Sequence, residues 1–455
     1  MEKEDYNKIA LFHPKALLRR SSNGAILCNK VIEGYSLLTP TQAFIITLLD
    51  GSRTVKEVSD TLAQTYGVES EKANGDVLHF LKLLEDNKKL IYLKRRVKPI
   101  KRYNSKDFLF DARGNTVKPD YLVSLGIALT ESCPLRCVYC FANAPNHGKE
   151  KLSVHEVVQV LREAKDLGAE VLMLSGGEPF LHEGLVEIVQ EAIDMRYSDI
   201  QISTGGTVVD EGKAEALRAT GLKNIQLSID SNNPETYDKM VGVKGAYERM
   251  LRGLLILLAN DFTVRAKTVL TALNLGDIPG LCRDMYEMGI HQLKVDLVAP
   301  IGRAHHDLLV GSTELELLMH QLERLTKELP HSSFSLNAKP IGTVPQCAGA
   351  IMRLFVCPDG YVTFCDALRE ADPSIMCGNI REQSLQGIWF SERLNELRKL
   401  RTDDPRCLEC PHVLICNAGC RLRSFGRLGD PNKPDPLCGR ILPEHKGELF
   451  TYARE

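Results

Sequence analysis

The chain has 455 residues, of which 25% are charged, and its formal net charge at pH 7 is −2. This balance gives no electrostatic reason to expect a nucleic acid or a membrane surface as the main partner. The longest apolar run, residues 254–259, is far shorter than the roughly 20 residues that span a bilayer. We therefore expect a cytoplasmic protein of several domains.

The 14 cysteines are distributed as metal ligands would be. Three lie at residues 133–140 and nine lie between residues 347 and 438, whereas Cys28 and Cys282 stand alone. Disulfide-rich proteins are typically small and secreted, which this chain is not expected to be. We interpret the two groups as metal ligands and the isolated pair as buried small hydrophobic residues.

Residues 1–93 predict a small winged-helix-like domain. Helix starts are indicated by Thr39, by Thr54 with Glu57 three residues later, and by Ser70. The predicted elements are strands at 15–18 and 25–31, helices at 39–49, 55–66 and 72–87, and a last strand at 90–93.

Three short patterns in this domain resemble the PqqD-type element that recognises precursor peptides. They are Leu49-Asp-Gly-x-x-Thr54-x-x-Glu57-Val58, Tyr66-Gly-Val and Val77-x-x-Phe80-Leu-x-x-Leu84. The resemblance implies that the leader of a ribosomally made peptide binds as an added strand at the sheet edge, beside a helix. A DNA-binding winged helix is the alternative for this domain considered alone.

Residues 94–119 are predicted to be a basic linker. Six of the nine residues from Lys94 to Arg102 are lysine or arginine. A solvated tether is the simplest interpretation, and attraction of an acidic leader to the first domain is the second.

Residues 120–340 alternate strand-like apolar runs with helical segments, which predicts an α/β fold with a parallel sheet curled towards a barrel. Functional loops are then expected at the carboxyl ends of the strands. The six predicted strands are 122–129, 171–175, 200–203, 225–229, 263–270 and 293–298.

Cys133-x3-Cys137-x2-Cys140 follows the first of these strands. Three thiolates at this spacing can hold a four-iron cluster and leave its fourth iron open to a ligand. Four further motifs end later strands: Ser175-Gly-Gly-Glu-Pro179, Thr204-Gly-Gly-Thr207, Leu227-Ser-Ile-Asp230 and Pro300-x-Gly-Arg-Ala304. Together they resemble the radical S-adenosylmethionine (AdoMet) enzymes, whose fold is a partial (β/α)6 barrel. A zinc site on an unrelated barrel is the alternative.

The resemblance implies particular contacts with AdoMet. Glycines 176 and 177 would admit its methionine end, and the Glu178 carboxylate would accept from its ammonium group. Tyr139 would touch the adenine, and Ser228 would bind the ribose or carboxylate. The cofactor-binding residues implied in this way are Tyr139, Gly176, Gly177, Glu178, Ser203, Ser228 and Asp230.

Two positions depart from the family pattern. Relatives usually carry Thr-Asn-Gly at the position of Thr204–Gly206, and many carry arginine at the position of Val241. If that arginine normally grips the cofactor carboxylate, Lys239, Lys244 or Arg265 would have to replace it. The sequence leaves this choice open.

Residues 341–455 resemble the SPASM extension, which binds two auxiliary four-iron clusters. The resemblance assigns Cys347, Cys365 and Cys420 to the first cluster, and Cys407, Cys410, Cys416 and Cys438 to the second. The first set is one ligand short. Cys357 is slightly preferred as an optional fourth ligand, with Cys377 or an open iron as alternatives. A zinc knuckle at residues 407–420 is the other interpretation.

The whole domain order resembles the radical AdoMet maturases that build thioether links in sactipeptides and ranthipeptides. The resemblance implies three four-iron clusters, AdoMet, a precursor peptide and a reductant such as flavodoxin or ferredoxin. A 5′-deoxyadenosyl radical would take hydrogen from a peptide carbon, which a peptide cysteine then attacks; no general base can be named. The alternatives are another peptide modification, such as a carbon–carbon crosslink, and an iron–sulfur redox sensor whose first domain binds DNA.

Overall fold

The structure is a computed structural model of the chain. It describes residues 6–14, 16–21, 24–29, 35–86, 89–100, 103, 121–336, 349–369, 371–398, 402, 404–410, 418–436 and 438. The chain divides into two compact units, Met1–Tyr121 and Leu122–Glu455.

The first unit combines two small antiparallel sheets with three helices. Its elements are β1 (Ile9–Phe12), β2 (Ala16–Ser21), β3 (Gly24–Asn29), β4 (Tyr35–Leu38), α1 (Pro40–Leu48), β5 (Asp50–Thr54), α2 (Val55–Tyr66), α3 (Ser70–Asp86) and β6 (Leu90–Leu93). One sheet has the strand order β2-β3-β4, and the other has the order β5-β1-β6. The three predicted helices and three predicted strands are present, while β1, β4 and β5 were not predicted.

Local sequence explains where these helices begin. Thr39 and Thr54 each form a capping box, the first with Gln42 and the second with Glu57. Helix α3 begins at Ser70 and buries the apolar face predicted for it, which consists of Val77, Phe80, Leu81 and Leu84.

The beginning of the predicted linker is bound to this first unit. The Val97 and Ile100 amides donate to the carbonyls of Gly51 and Asp50, both at 3.0 Å. The Arg96 guanidinium lies 2.9 Å from the Glu57 carboxylate. The segment therefore covers the free edge of β5, which a purely solvated tether would not do. Residues 101, 102 and 104–119 of the predicted linker lie outside the described residues.

The second unit contains a strand–helix alternation followed by a C-terminal extension. The alternating part contains β7 (Ser124–Ala128), α4 (Val154–Asp166), β8 (Val171–Ser175), α5 (Leu185–Asp194), β9 (Asp199–Thr204), α6 (Glu211–Ala219), β10 (Asn224–Ser228), α7 (Pro234–Val241), α8 (Ala246–Ala259), β11 (Thr263–Leu270), α9 (Ile278–Glu287), β12 (Gln292–Leu297), α10 (Ser312–Glu328) and β13 (Ser333–Leu336). The extension contains β14 (Arg353–Val356), β15 (Tyr361–Thr363), β16 (Met376–Asn379), α11 (Leu385–Trp389), α12 (Glu392–Arg398), α13 (Pro405–Leu408) and α14 (Arg421–Leu428).

One ten-stranded sheet joins the two parts, in the order β13-β12-β11-β10-β9-β8-β7-β14-β15-β16. All neighbours from β13 to β14 are parallel, and β15 pairs antiparallel with both β14 and β16. The α/β class and all six predicted barrel strands are confirmed. The sequence did not predict that β13 and β14 would extend this parallel sheet at its two ends.

Side chains alternate between two faces of the parallel strands. Ile202, Leu227 and Ala266 are buried in the large core that also includes the apolar faces of the helices. The residues between them are only half-buried and are mostly polar, as in the pattern of β10 and β11. We call the face that bears these half-buried residues the inner face. No helix in the described parts of the chain is long and apolar enough to cross a membrane.

Candidate active site

The cysteine loop, which we define as residues 129–148, follows β7 and carries three thiols that are not joined in disulfides. Backbone hydrogen bonds fix its course. The Cys133 amide donates to the Pro145 carbonyl, and the Arg136 and Val138 amides donate to the carbonyls of Val241 and Met240, all at 2.8 Å. The loop therefore closes on itself and packs against the end of α7.

The three thiols share one electrostatic environment. Burial raises the pKa of the Cys133 thiol to about 11 and raises the pKa of the Cys137 thiol further. The charges of Cys133 and Cys140 also raise the pKa of Cys137, so the three sulfur atoms act on one another. Thiolates in such a place need a neighbouring cation, and the irons of a cluster provide one. The donor set thus fits an iron–sulfur cluster.

The glycines after β8 permit a close contact with the cysteine loop. The Gly177 amide donates to the Thr130 carbonyl at 2.7 Å, and the Glu178 amide donates to the Ser132 carbonyl at 2.8 Å. A Cβ atom at Gly176 or Gly177 would collide with the Thr130 or Ser132 backbone, and Gly176 has a φ of +129°. Glycine is needed here for backbone packing, and the expected contact with methionine stays a prediction.

Glu178 joins the loops that follow β8 and β9. Its carboxylate is almost fully buried and accepts hydrogen bonds from the Phe180 amide, the Thr204 hydroxyl and the Gly205 amide, at 2.8–3.1 Å. Burial raises the pKa of this carboxyl, and the hydrogen bonds oppose that rise. Glycine at residue 205 supplies one of these donors. The expected bond from a cofactor ammonium group stays a prediction.

Tyr139 connects the cysteine loop to β10 and β11. Its hydroxyl donates to the Asp230 carboxylate, which also accepts from the Val269 amide at 2.9 Å and the Thr268 hydroxyl at 3.2 Å. Burial raises the pKa of Asp230 to about 6 and raises that of Tyr139 well above its usual value. Both residues therefore hold the loop in place, and contact of the tyrosine ring with adenine stays a prediction.

Small side chains line the inner face where four neighbouring strands end. They are Ala128, Ser175, Ser203 and Ser228, and each is half-buried. The Ser203 hydroxyl accepts a hydrogen bond from the side-chain amide of Gln226 at 2.7 Å. These four residues, which we call the ledge, lie at the ends of neighbouring strands, the first of which continues into the cysteine loop, and three of them carry hydroxyl groups.

The inner face also carries charged residues, which the sequence did not indicate, and Lys267 pairs in register with Ser228. The Lys267 amine lies 2.7 Å from the Asp296 carboxylate, and the Arg265 guanidinium lies 3.8 Å from that of Asp199. Lys239 and Lys244, the other two candidates for the missing arginine, are exposed. Lys267 is nearer to the strand ends than Arg265, and its charge acts on Asp230. It is therefore a fourth candidate for that role.

The C-terminal cysteines are only partly described, because Cys347 and Cys416 lie outside the described residues. Val356 pairs with Val362, so Cys357 lies opposite Tyr361. The distance along the hairpin from Tyr361 to Cys365 is about 13 Å. Cys377 instead lies in β16 between Met376 and Gly378, which pair with Thr363 and Val362, close before Cys365 in the sequence. The geometry therefore gives no support to the preference for Cys357 and places Cys377 closer to Cys365.

Three segments of the chain match known families. Residues 18–90 match coenzyme PQQ synthesis protein D (PqqD), residues 127–284 match the Radical SAM superfamily, and residues 347–411 match the SPASM iron–sulfur cluster-binding domain. The three families occur in the order that the sequence predicted.

Two curated relatives are similar over most of their length. A PqqA peptide cyclase of Rhizobium meliloti is 32% identical over 327 residues, which cover 69% of this chain and 85% of the relative. An AdoMet-dependent heme synthase of Methanosarcina barkeri is 29% identical over 337 residues, which cover 68% of this chain and 94% of the relative.

Two solved structures share the fold. Streptococcus suis SuiB bound to S-adenosylmethionine has a TM-score of 0.66 at 19% identity, covering 94% of this chain and 99% of SuiB. The protein anSMEcpe with bound AdoMet has a TM-score of 0.56 at 16% identity, covering 70% of this chain and 95% of that chain. At these identities the likeness concerns the fold alone.

Proposed function

Because this chain belongs to the radical SAM superfamily, with a PqqD domain before the barrel and a SPASM domain after it, we propose that it modifies a ribosomally made precursor peptide. Its cofactors are four-iron clusters and AdoMet. When bound, they supply a 5′-deoxyadenosyl radical that takes a hydrogen atom from a carbon of the substrate. The PqqD domain is the observation that favours a peptide substrate.

The first unit binds the leader of this peptide. In the β2-β3-β4 sheet, the Tyr103 hydroxyl accepts a hydrogen bond from the Leu18 amide at 2.9 Å and so occupies part of the β2 edge. Strand β4 forms the opposite edge. An extended leader segment would add to β4 by main-chain hydrogen bonds.

The barrel holds the cofactors and the core of the peptide. Cys133, Cys137 and Cys140 would be the ligands of the AdoMet-binding cluster, and the ledge of small side chains would receive AdoMet. The charged groups of Lys267 and Asp296 lie on the inner face of the next two strands, with Lys267 opposite Ser228 in register, where they can donate to and accept from a polar peptide. The buried Glu178 and Asp230 keep the surrounding loops fixed, which preserves the geometry that hydrogen abstraction needs.

We propose that the modification is a thioether between a cysteine sulfur and a carbon of the core peptide. Each link forms one S–C bond: the carbon would give a hydrogen atom to the 5′-deoxyadenosyl radical, the thiol would lose a proton to solvent, and the remaining electron would pass to an auxiliary cluster. The support is the likeness of the SPASM cysteine pattern to thioether-forming maturases. A low-potential flavodoxin or ferredoxin would supply the reducing electron.

A carbon–carbon crosslink is the second candidate, and the 32% identity to a protein named PqqA peptide cyclase favours it. The same mass change accompanies both products, so mass alone does not separate them. Alkylation with iodoacetamide does separate them, because a thioether consumes a free thiol and a carbon–carbon link leaves it reactive.

The decisive experiment is anaerobic reconstitution with iron and sulfide, followed by incubation with AdoMet, reductant and the precursor peptide encoded beside the gene. We expect 5′-deoxyadenosine and a peptide that has lost two hydrogens and one alkylatable thiol per link. A crosslinked peptide that keeps all its thiols would replace the thioether with the second candidate. Absence of 5′-deoxyadenosine would contradict the enzymatic function and favour a redox sensor.

A further inference from the structure

The segment Pro300-Ile-Gly-Arg-Ala304, after β12, is bound to the cysteine loop through Arg303. The Arg303 amide donates to the Cys140 carbonyl at 3.0 Å. Its guanidinium Nε donates to the Cys137 carbonyl at 2.9 Å, and Nη1 donates to the Asn143 side-chain oxygen and the Ala144 carbonyl, both at 3.1 Å. One arginine thus spans the part of the loop that carries the last two cysteines.

Gly302 sets the approach of this arginine. It has a φ of +66°, and a Cβ atom there would collide with the carbonyl oxygens of Cys140 and Phe141. The two loops therefore pack backbone against backbone, which any larger residue would prevent. The guanidinium is held at a fixed place beside the loop.

The charge of Arg303 has no carboxylate partner among the described residues. All four of its hydrogen-bond acceptors there are neutral oxygen atoms. Arginine carries a positive charge, and this guanidinium is hydrogen-bonded to the carbonyl of Cys137, one of the three candidate ligands, at 2.9 Å. A fixed cation therefore lies within electrostatic reach of the sulfur atoms.

We propose that Arg303 is a positioning residue with a second, electrostatic role: its cation stabilises the reduced state of the cluster held by Cys133, Cys137 and Cys140. Transfer of one electron from the reductant to the cluster adds one negative charge, and a nearby cation lowers the free energy of that more negative state. Arg303 thereby raises the reduction potential of the cluster. The proposal rests on the superfamily's cluster and is independent of which peptide is modified.

The test compares three variants and one control variant of the reconstituted 455-residue chain with the unmodified chain. Arg303→Lys keeps the charge but loses the forked hydrogen bonds, whereas Arg303→Gln loses the charge. Asn143→Asp keeps the arginine and sets a carboxylate against it; Asn143 has a φ of +48°, which aspartate tolerates. Arg283→Gln is the control for charge loss, since Arg283 lies in an exposed ion pair with Glu328.

The readouts are iron per chain and the midpoint potential of the cluster whose electron paramagnetic resonance signal changes on AdoMet addition. We expect a more negative potential for Arg303→Gln and Asn143→Asp, and a nearly unchanged potential for Arg303→Lys and Arg283→Gln. Both Arg303 variants should retain less iron after gel filtration, because each has fewer hydrogen bonds between residue 303 and the cysteine loop.

An unchanged reduction potential in Arg303→Gln, at equal iron content, would overturn the electrostatic role. Arg303 would then act only through its hydrogen bonds to the cysteine loop. Equal shifts in Arg303→Gln and Arg303→Lys would also overturn it, since the two differ in charge. If Arg303→Gln does not retain the cluster, Asn143→Asp decides the question, and an unchanged potential there overturns the proposal.

Discussion

Two buried carboxylates hold the loops around the cysteine site. Glu178 accepts from two amides and one hydroxyl, and Asp230 accepts from one amide and two hydroxyls. Burial raises the pKa of both groups, and the donors oppose that rise. Removing a donor from a buried acceptor costs free energy. Each of these hydrogen bonds therefore helps to keep a loop of the candidate active site ordered.

Replacing Tyr139 with phenylalanine removes one donor from Asp230. We expect the variant to lose ~1–3 kcal/mol of stability, because a buried carboxylate then has one bond fewer. The measurement is the midpoint of urea unfolding under anaerobic conditions, with the loss of iron followed in parallel. Tyr361→Phe is the control, since Tyr361 is exposed. Equal midpoints for the two variants would show that the Tyr139–Asp230 bond contributes little.

Replacing Glu178 with glutamine leaves one acceptor oxygen for three donors. The displaced donors belong to the loops after β8 and β9, beside the ledge, so we expect AdoMet to bind about tenfold more weakly, which is about 1.4 kcal/mol. Equilibrium dialysis with radiolabelled AdoMet measures this. Glu183→Gln, at an exposed residue bonded to Lys151, should bind AdoMet as the unmodified chain does. Full affinity in Glu178→Gln would contradict the structural role of the carboxylate.

At this scale the sequence predicted where the functional residues are better than what they do. The spacing of Cys133, Cys137 and Cys140 identifies the loop because three thiolates so close together in sequence can reach one cluster. The expected contacts of Tyr139 and Glu178 with the cofactor stay predictions, and the structure adds the hydrogen bonds that their polar atoms make within the protein. Partners such as Asp230 lie 91 residues from Tyr139 along the chain, and no local pattern indicates such a pair.

The β14–β15 hairpin bears on whether Cys357 or Cys377 is the fourth ligand of the first auxiliary cluster. We expect Cys357→Ala to retain about twelve iron atoms per chain, because Cys357 lies far along the hairpin from Cys365. Cys365→Ala should lose about four of them. Iron and sulfide determination on the reconstituted proteins measures both. Loss of about four irons from Cys357→Ala would restore Cys357 as a ligand of the first auxiliary cluster.

Elements with strong local signals were predicted, and those that depend on distant pairing were not. Capping boxes at Thr39, Thr54 and Ser153 mark helix starts within four residues of sequence. Strand β5 has the polar sequence Asp-Gly-Ser-Arg-Thr and becomes a strand by pairing with β1. Strand β14 pairs in parallel with β7, which is 229 residues away at the pair of Arg353 with Ser124.

Across the whole molecule, the domain order was predictable because each domain carries its own motifs. The boundary after the first domain was less predictable than the domain order. Lysine and arginine between residues 94 and 102 suggested a solvated tether, but backbone bonds to Gly51 and Asp50 are independent of side-chain charge. Residues beyond the predicted boundary at 93, from Arg96 to Ile100, are therefore bound to the first unit.

The proposed division of labour between the units can be tested on the intact chain by changing the peptide. Binding of the leader to the first unit makes delivery of the core intramolecular. A peptide without its leader should therefore be modified about a hundredfold more slowly at low micromolar concentration. Mass spectrometry of the product over time, with 5′-deoxyadenosine measured alongside, gives the rate.

A matched control keeps the leader but replaces two alternate residues of its binding segment with proline. Proline cannot donate the main-chain hydrogen bonds that an added strand needs, so this peptide should behave as if it had no leader. If the leaderless peptide is modified at the full rate, leader binding by the first unit is wrong, although the radical chemistry of the barrel would stand. If only the proline peptide keeps the full rate, the leader is bound through side chains and does not pair with β4.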